Sequence, residues 1–229
     1  MVDRPRPLTM SDRWSRFVPL TGVIFVALLV TTNVLLGSAP ESGDSAAKVI
    51  AFYQAHRTKI EISSYLTGLS LFFGLFFYAC LRDYLRRARS GERLAATAFG
   101  GAVLFAVGGG ISAGLQFALA DVPSKLSPAA AQALNLLEND ATVFALTAGV
   151  AVLLMASGIA ILRTRLLPVW LGCIAIVIAV VGLTPVGFFA FLAAGLWTLV
   201  ASILIYTHRD AATLAPRGDN QSPAASPPA

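Results

Sequence analysis

"ISSYLTGLSLFFGLFFYACLRDYLRRARSGER", Ile62 to Arg93, decides the fold: its first twenty residues hold no Asp, Glu, Lys, Arg or His, and its last twelve hold five arginines. About 20 apolar residues cross a hydrocarbon core at roughly 1.5 Å of rise each. A charge-free run of that length followed at once by clustered cations reads as a membrane crossing with a basic connector.

The rest of the chain repeats the pattern. Hydrophobic residues make up 56% of it and charged ones only 13%, about half the charged share of an ordinary globular domain. Uncharged runs extend over Phe17 to Pro40, Ile62 to Leu81, Ala95 to Ala120, Ala141 to Leu162 and Leu166 to His208. The last is twice too long for one crossing. It contains "GLTPVG", Gly182 to Gly187, where proline removes a backbone donor and glycine frees the chain to turn. The expectation is an all-α integral membrane bundle of six transmembrane helices near Phe17 to Gly37, Ile62 to Leu81, Ala95 to Leu119, Ala141 to Leu162, Leu166 to Leu183 and Val186 to Tyr206. The runs show no period-two alternation, and backbone groups in lipid must be satisfied within the segment, so helices are preferred over a barrel. The first run is longer than the 7 to 15 apolar residues of a signal peptide, and Pro40 follows its small residues, so it reads as a retained anchor.

Cation counts set the orientation. The leader, residues 1 to 16, has four Lys or Arg, the Arg82 to Arg93 loop five, the turn at Arg163 two and the tail two; the alternate loops have three, one and none. By the positive-inside rule both termini are expected in the cytoplasm. The arginine run is then a topology determinant, and a nucleic-acid patch, which needs phosphate-facing cations beside stacking aromatics or a readout fold, finds only Tyr84 nearby. The net charge of +5 has the same source, and such cations attract anionic headgroups. The expected partners are membrane lipids, with a homo-oligomer or a membrane protein as further possibilities, and no nucleic acid.

Two loop segments carry helical signals. "DSAAKVIAFYQAHR", Asp44 to Arg57, offers Asp44 as N-cap and places Val49, Ile50, Phe52, Tyr53 and His56 on one face, opposite Lys48 and Gln54. "LSPAAAQALNLLEND", Leu126 to Asp140, begins with Ser127 as N-cap and Pro128 at the first helical position, then runs into the fourth span. Residues 208 to 229, rich in Pro, Ala and Ser, are expected to form a disordered cytoplasmic tail, where the "RGD" at Arg217 is a chance match.

Motifs that carry chemistry are sparse. Cys80 and Cys173 lie far apart, form no metal motif and read as small core residues. No expected span holds an ionisable residue in its interior, which argues against proton transport by an intramembrane carboxylate and against a metalloprotease. Both histidines, His56 and His208, fall outside the spans, which removes a Ser/His pair at membrane depth. Neither a catalytic nucleophile set nor a cofactor or metal motif is expected.

Mild polar residues gather in the outer halves of the first four spans. Asn33, Thr67 and Gln116, with Glu61 and Asp140 above them, outline a candidate outward-facing vestibule for a small ligand; the alternative is interhelical bonding and interfacial polarity. In "FAVGGGISAGLQF", Gly109 with Ala113 and Gly110 with Gly114 make overlapping small-xxx-small pairs for close helix packing, and the three consecutive glycines allow a kink. No internal repeat emerges.

In Phe52, His56, Arg57, Leu81, Arg82, Leu85 and Arg86, and later in Pro168, Trp170 and Gly172 of "LPVWLG", the chain resembles uncharacterised multi-pass membrane proteins of actinobacteria. That resemblance implies a shared six-span architecture and no particular activity. The function expected is that of a non-catalytic membrane protein acting through lipid or protein partners, or alternatively a carrier or binder of a small neutral or lipophilic compound.

Overall fold

The computed structural model describes residues 17–37, 39–121, 123, 125–184 and 187–214. The leader, most of the tail, and Pro185 and Val186 of the expected hairpin lie outside the described residues. Among the described residues, a 3₁₀ turn at Val18–Leu20 is followed by eight α-helices: α1 (Thr21–Leu36), α2 (Ala46–Ala55), α3 (Arg57–Leu85), α4 (Glu92–Asp121), α5 (Pro128–Leu136), α6 (Thr142–Thr164), α7 (Val169–Gly182) and α8 (Gly187–Leu214). Among the described residues there is no strand.

Where six crossings were expected, five helical segments among the described residues are long and apolar enough to cross a membrane: Val18–Leu36, Arg57–Leu85, Glu92–Asp121, Pro128–Thr164 and Phe189–Thr207. The fifth expected crossing forms a helix of only 14 residues, Val169–Gly182, about 21 Å long at 1.5 Å per residue. Pro168 stands directly before it, and residues before a proline are steered away from helical geometry. At its far end Gly182 gives way to a turn in which Leu183 and Thr184 donate to the carbonyls of Val180 and Val181.

Most other helices overrun their apolar runs. α3 begins at Arg57 and ends at Leu85 because charged residues at membrane ends continue the backbone ladder as readily as apolar ones. α8 continues to Leu214, beyond the expected start of the tail at 208. α4 is a single helix through its three consecutive glycines. α1 stops at Gly37, whose φ of 64° lies in the left-handed region that glycine enters without cost.

The six long or apolar helices close into a ring in chain order: α1 packs on α3, α3 on α4, α4 on α6, α6 on α7, α7 on α8, and α8 returns to α1. Aromatic side chains fill the middle. Phe25 of α1 meets Tyr78 of α3 and Phe105 of α4 edge to face, with ring centroids 6.0 and 6.3 Å apart. Hydroxyls tie neighbours together: Ser70 donates to the carbonyl of Phe25 at 3.1 Å, Ser202 to that of Pro19, and the Trp197 indole to that of Leu171 at 3.0 Å. The outside is apolar, with Val34, Phe72, Phe76, Phe144, Phe189 and Leu192 all more than half or about half exposed.

Glycines set the tightest contacts, though not the pairs read from the sequence. A Cβ on Gly101 would lie 2.4 Å from the Leu153 backbone nitrogen, and one on Gly149 2.4 Å from that of Phe105, so α4 and α6 touch backbone to backbone. Gly158 and Gly172 bring α6 and α7 together in the same way. Of the expected set, Gly109 and Ala113 are buried, Gly109 against Leu71 and Leu146, whereas Gly110 and Gly114 point to open space. Cys173 likewise corrects its expected place: it is exposed on α7, while Cys80 is buried.

Gly149→Ala should therefore lower the melting temperature in detergent by several degrees, since an inserted methyl with no room costs about 1–3 kcal/mol. Gly110→Ala should leave it unchanged or raise it, because alanine is the better helix former at an open site by up to about 1 kcal/mol. Thermal unfolding of the two variants beside wild type checks both.

Candidate functional site

The end of the ring that holds Leu36, Arg57 and Asp121 is covered by a small cap. Ser45, rather than the expected Asp44, caps α2: its hydroxyl accepts the Lys48 amide at 3.4 Å. Asp44 is occupied otherwise, accepting the Glu41 amide at 2.9 Å and pairing with Lys48 at 2.7 Å, and the Lys48 bond is the main cause of its lowered pKa. α5 starts as read from the sequence, with Ser127 accepting the Ala130 amide at 3.2 Å and Pro128 at the first position. α2 and α5 pack on each other. Val49, Tyr53, Ile60, Leu119 and Ala120 form their own apolar cluster beneath them.

Buried amides lock the cap to the chain entering it. Asn135, 1% exposed, donates to the Glu41 carbonyl at 3.0 Å, and Asn139 to the Pro40 carbonyl at 3.2 Å. Around the cap rim Arg57 bridges Glu61 at 2.7 Å and Asp121 at 3.0 Å. The Glu61 hydrogen bond is the largest reason that the Arg57 pKa is raised.

Between α5 and α6 the helix widens into a π turn, Leu137–Ala141. Such turns are rare and recur at functional sites. Glu138 sits in it, only 9% exposed. Its Oε1 accepts two bonds from α4, Ser112 Oγ at 2.9 Å and Gln116 Nε2 at 2.8 Å, and Thr142 Oγ1 donates to its backbone carbonyl. Nothing in the sequence around Glu138 singles it out. The one available signal was its distance from Ser112 and Gln116 in the chain, which no local pattern can bridge.

Among the described residues, those outlined as a vestibule form no hydrogen bond with one another. Gln116 alone joins the Glu138 cluster. Asn33 is exposed and its amide donates to the Leu29 carbonyl on its own helix at 2.8 Å. Thr67 bonds the Ser63 carbonyl at 2.9 Å, Glu61 is held by Arg57, and Asp140 is exposed. Thr31 and Thr147 also bond carbonyls of their own helices, the local option that hydroxyls take when no partner helix offers one.

At the opposite end the arginines converge. Gly91 packs on Thr164, and the Tyr84 hydroxyl donates to the Leu166 carbonyl at 3.1 Å, which brings the connector after α3 against the end of α6. Arg86 leans toward Asp83 and Glu92 at 3.9 and 3.8 Å. Among the described residues Arg82, Arg87, Arg93, Arg163 and Arg165 form no ion pair. Arg82 lies 5.6 Å over the Phe99 ring, and its buried Nε has no hydrogen-bond partner among the described residues.

Within the ring, Phe25, Leu29, Phe105, Leu153, Phe191 and Gly195 line a narrow cleft beside the Tyr78 to Thr198 hydroxyl pair, whose oxygens are 3.1 Å apart. Its cavity volume is about 20 Å³, room for little more than one water molecule. Among the described residues no cluster of three or more His, Cys, Asp or Glu is placed to hold a metal. Comparison with known proteins finds no matching protein family, no matching curated protein and no matching solved structure.

Tyr53 lies in the cap, where burial, and secondarily the negative Glu138, raise the pKa of its phenol. A raised folded value means that the stability it contributes is complete below the unfolded pKa of about 10 and is lost as pH rises beyond it. Wild type should accordingly lose melting temperature relative to Tyr53→Phe above about pH 10, with the two curves parallel below; thermal scans across pH measure this.

Proposed function

We propose that the chain is a six-span protein of a bacterial plasma membrane with both termini in the cytoplasm, non-catalytic, acting through anionic lipid headgroups and membrane partners held at its arginine end. The observation that carries this reading is the convergence of Arg82, Arg87, Arg93, Arg163 and Arg165 without acidic partners. Phosphate oxygens satisfy guanidinium donors two at a time, and each cation at such a surface gains about 1 kcal/mol from anionic lipid.

In this reading the short helix Val169–Gly182 makes the fifth crossing together with the apolar residues Leu166, Leu167 and Leu183 that flank it. Its neighbours α6 and α8 run the full depth, so the bilayer adjusts locally or the helix ends reach into the headgroup region. The ring order is consistent with this reading, because each of the six helices packs on the one that precedes it in the ring.

A second reading, binding of a lipophilic compound, is favoured by the aromatic cleft and its Tyr78 and Thr198 hydroxyls. Apolar walls with one or two polar groups suit such a ligand.

Two measurements test the first reading. In a background lacking Cys80 and Cys173, Lys125→Cys should react with an impermeant maleimide in intact cells while Ser90→Cys reacts only after lysis; the reverse pattern would overturn the orientation. Native mass spectrometry should find anionic phospholipid retained on wild type and at least tenfold less on the triple variant Arg82→Gln, Arg87→Gln, Arg163→Gln. Equal retention removes the lipid site.

A further inference from the structure

We propose that Glu138, with Ser112 and Gln116, is a binding site for a small monovalent cation, reached from the cap end. The carboxylate is nine-tenths buried, and both donors that reach it are neutral and bond the same oxygen, Oε1. Among the described residues Oε2 has no hydrogen-bond partner and no Lys or Arg lies at ion-pairing distance from the carboxylate. The cap's cations are committed elsewhere: Lys48 is held by Asp44, and Arg57 by Glu61 and Asp121. Glu138 Oε2 keeps a solvent face while the carboxylate as a whole is largely buried and has no counter-charge, so a positive charge taken up from solvent would stabilise it.

The surrounding chemistry selects the class. Alkali and ammonium ions are bound by oxygen, and here the Glu138 carboxylate offers it, while the Ser112 hydroxyl and the Gln116 amide, whose oxygen an amide rotation would present, lie within hydrogen-bond reach of Glu138 Oε1. One carboxylate matches one positive charge. A divalent ion would need further acidic ligands, and no cluster of three or more occurs among the described residues. The π turn is what aims Glu138 at α4, since a regular helix through Leu137–Ala141 would rotate it away from Ser112 and Gln116. This site lies at the end opposite the arginines and stands or falls independently of the lipid reading.

The test uses the full chain in detergent, with melting temperature followed against NaCl, KCl, NH4Cl or MgCl2, each balanced with N-methyl-D-glucamine chloride at constant ionic strength. At least one of the small monovalent ions should give a rise that sets in near its Kd and then climbs logarithmically, about 3–6 °C per tenfold increase in concentration, and sodium, potassium and ammonium distinguish metal from ammonium. Glu138→Gln should abolish the rise while melting higher than wild type in the bulky cation alone. A flat response to all three monovalent ions, a response to magnesium only, or a rise retained in Glu138→Gln would each overturn the proposal. Should Glu138→Gln fail to fold, Ser112→Ala with Gln116→Met must move the half-saturation point at least tenfold, and an unmoved midpoint rejects the site.

Discussion

The backbone contact between α4 and α6 at Gly101 and Gly149 is the interaction on which the rest of the bundle depends. Two helices whose backbones touch over several turns fix each other's rotation and register, because any side chain larger than hydrogen at the crossing would force them apart. That register places Gly108 against Ala145 one step further along, and it carries Ser112 and Gln116 up to the level of the π turn. The Glu138 cluster is therefore a consequence of a glycine contact more than a helical turn away on each helix. The same device, Gly158 against Gly172, attaches the short α7 to the other side of α6.

Around that pair the ring closes with progressively softer packing. α1, α3 and α4 are locked by aromatic edges, Phe25 between Tyr78 and Phe105, and by the Ser70 hydroxyl on the α1 backbone. α8 is held by fewer but directional contacts, the Trp197 indole on Leu171 and the Tyr78 and Thr198 hydroxyls. The cleft opens beside α8, where Gly195 faces open space and Phe191 supplies one wall. A ring is most readily opened where its contacts are sparsest, and the lipophilic-binding reading requires these walls to part, since the cleft as it stands holds only about 20 Å³.

Charge is distributed as the two proposals require. One end gathers arginines with little acid to answer them, and the other gathers carboxylates whose lysine and arginine partners are already engaged at the rim. Burial costs are unequal at the two ends. Exposed guanidinium groups such as Arg163 and Arg165 keep their hydration until a headgroup arrives, whereas Glu138 has already lost most of its own. The cap end holds one carboxylate oxygen without a protein partner and open to solvent, and the arginine end several guanidinium donors without acidic partners.

Composition and charge spacing alone determined that the chain is helical, where its apolar segments lie and which loops carry cations, because these follow from how many consecutive residues avoid charge. Capping at Ser127 was legible for the same local reason, while Asp44 was misread because Ser45 beside it caps equally well and Lys48 draws the carboxylate away. Only the tertiary structure decided which glycines touch, since Gly101 and Gly149 are unremarkable in sequence and the obvious triplet turns one of its members outward. It alone decided that α7 is short and that Cys173 faces out. Above all it decided that Glu138 is buried against α4: burial and pairing are properties of the space between helices, and residues 22 and 26 positions apart in the chain meet there through packing that no window of sequence contains.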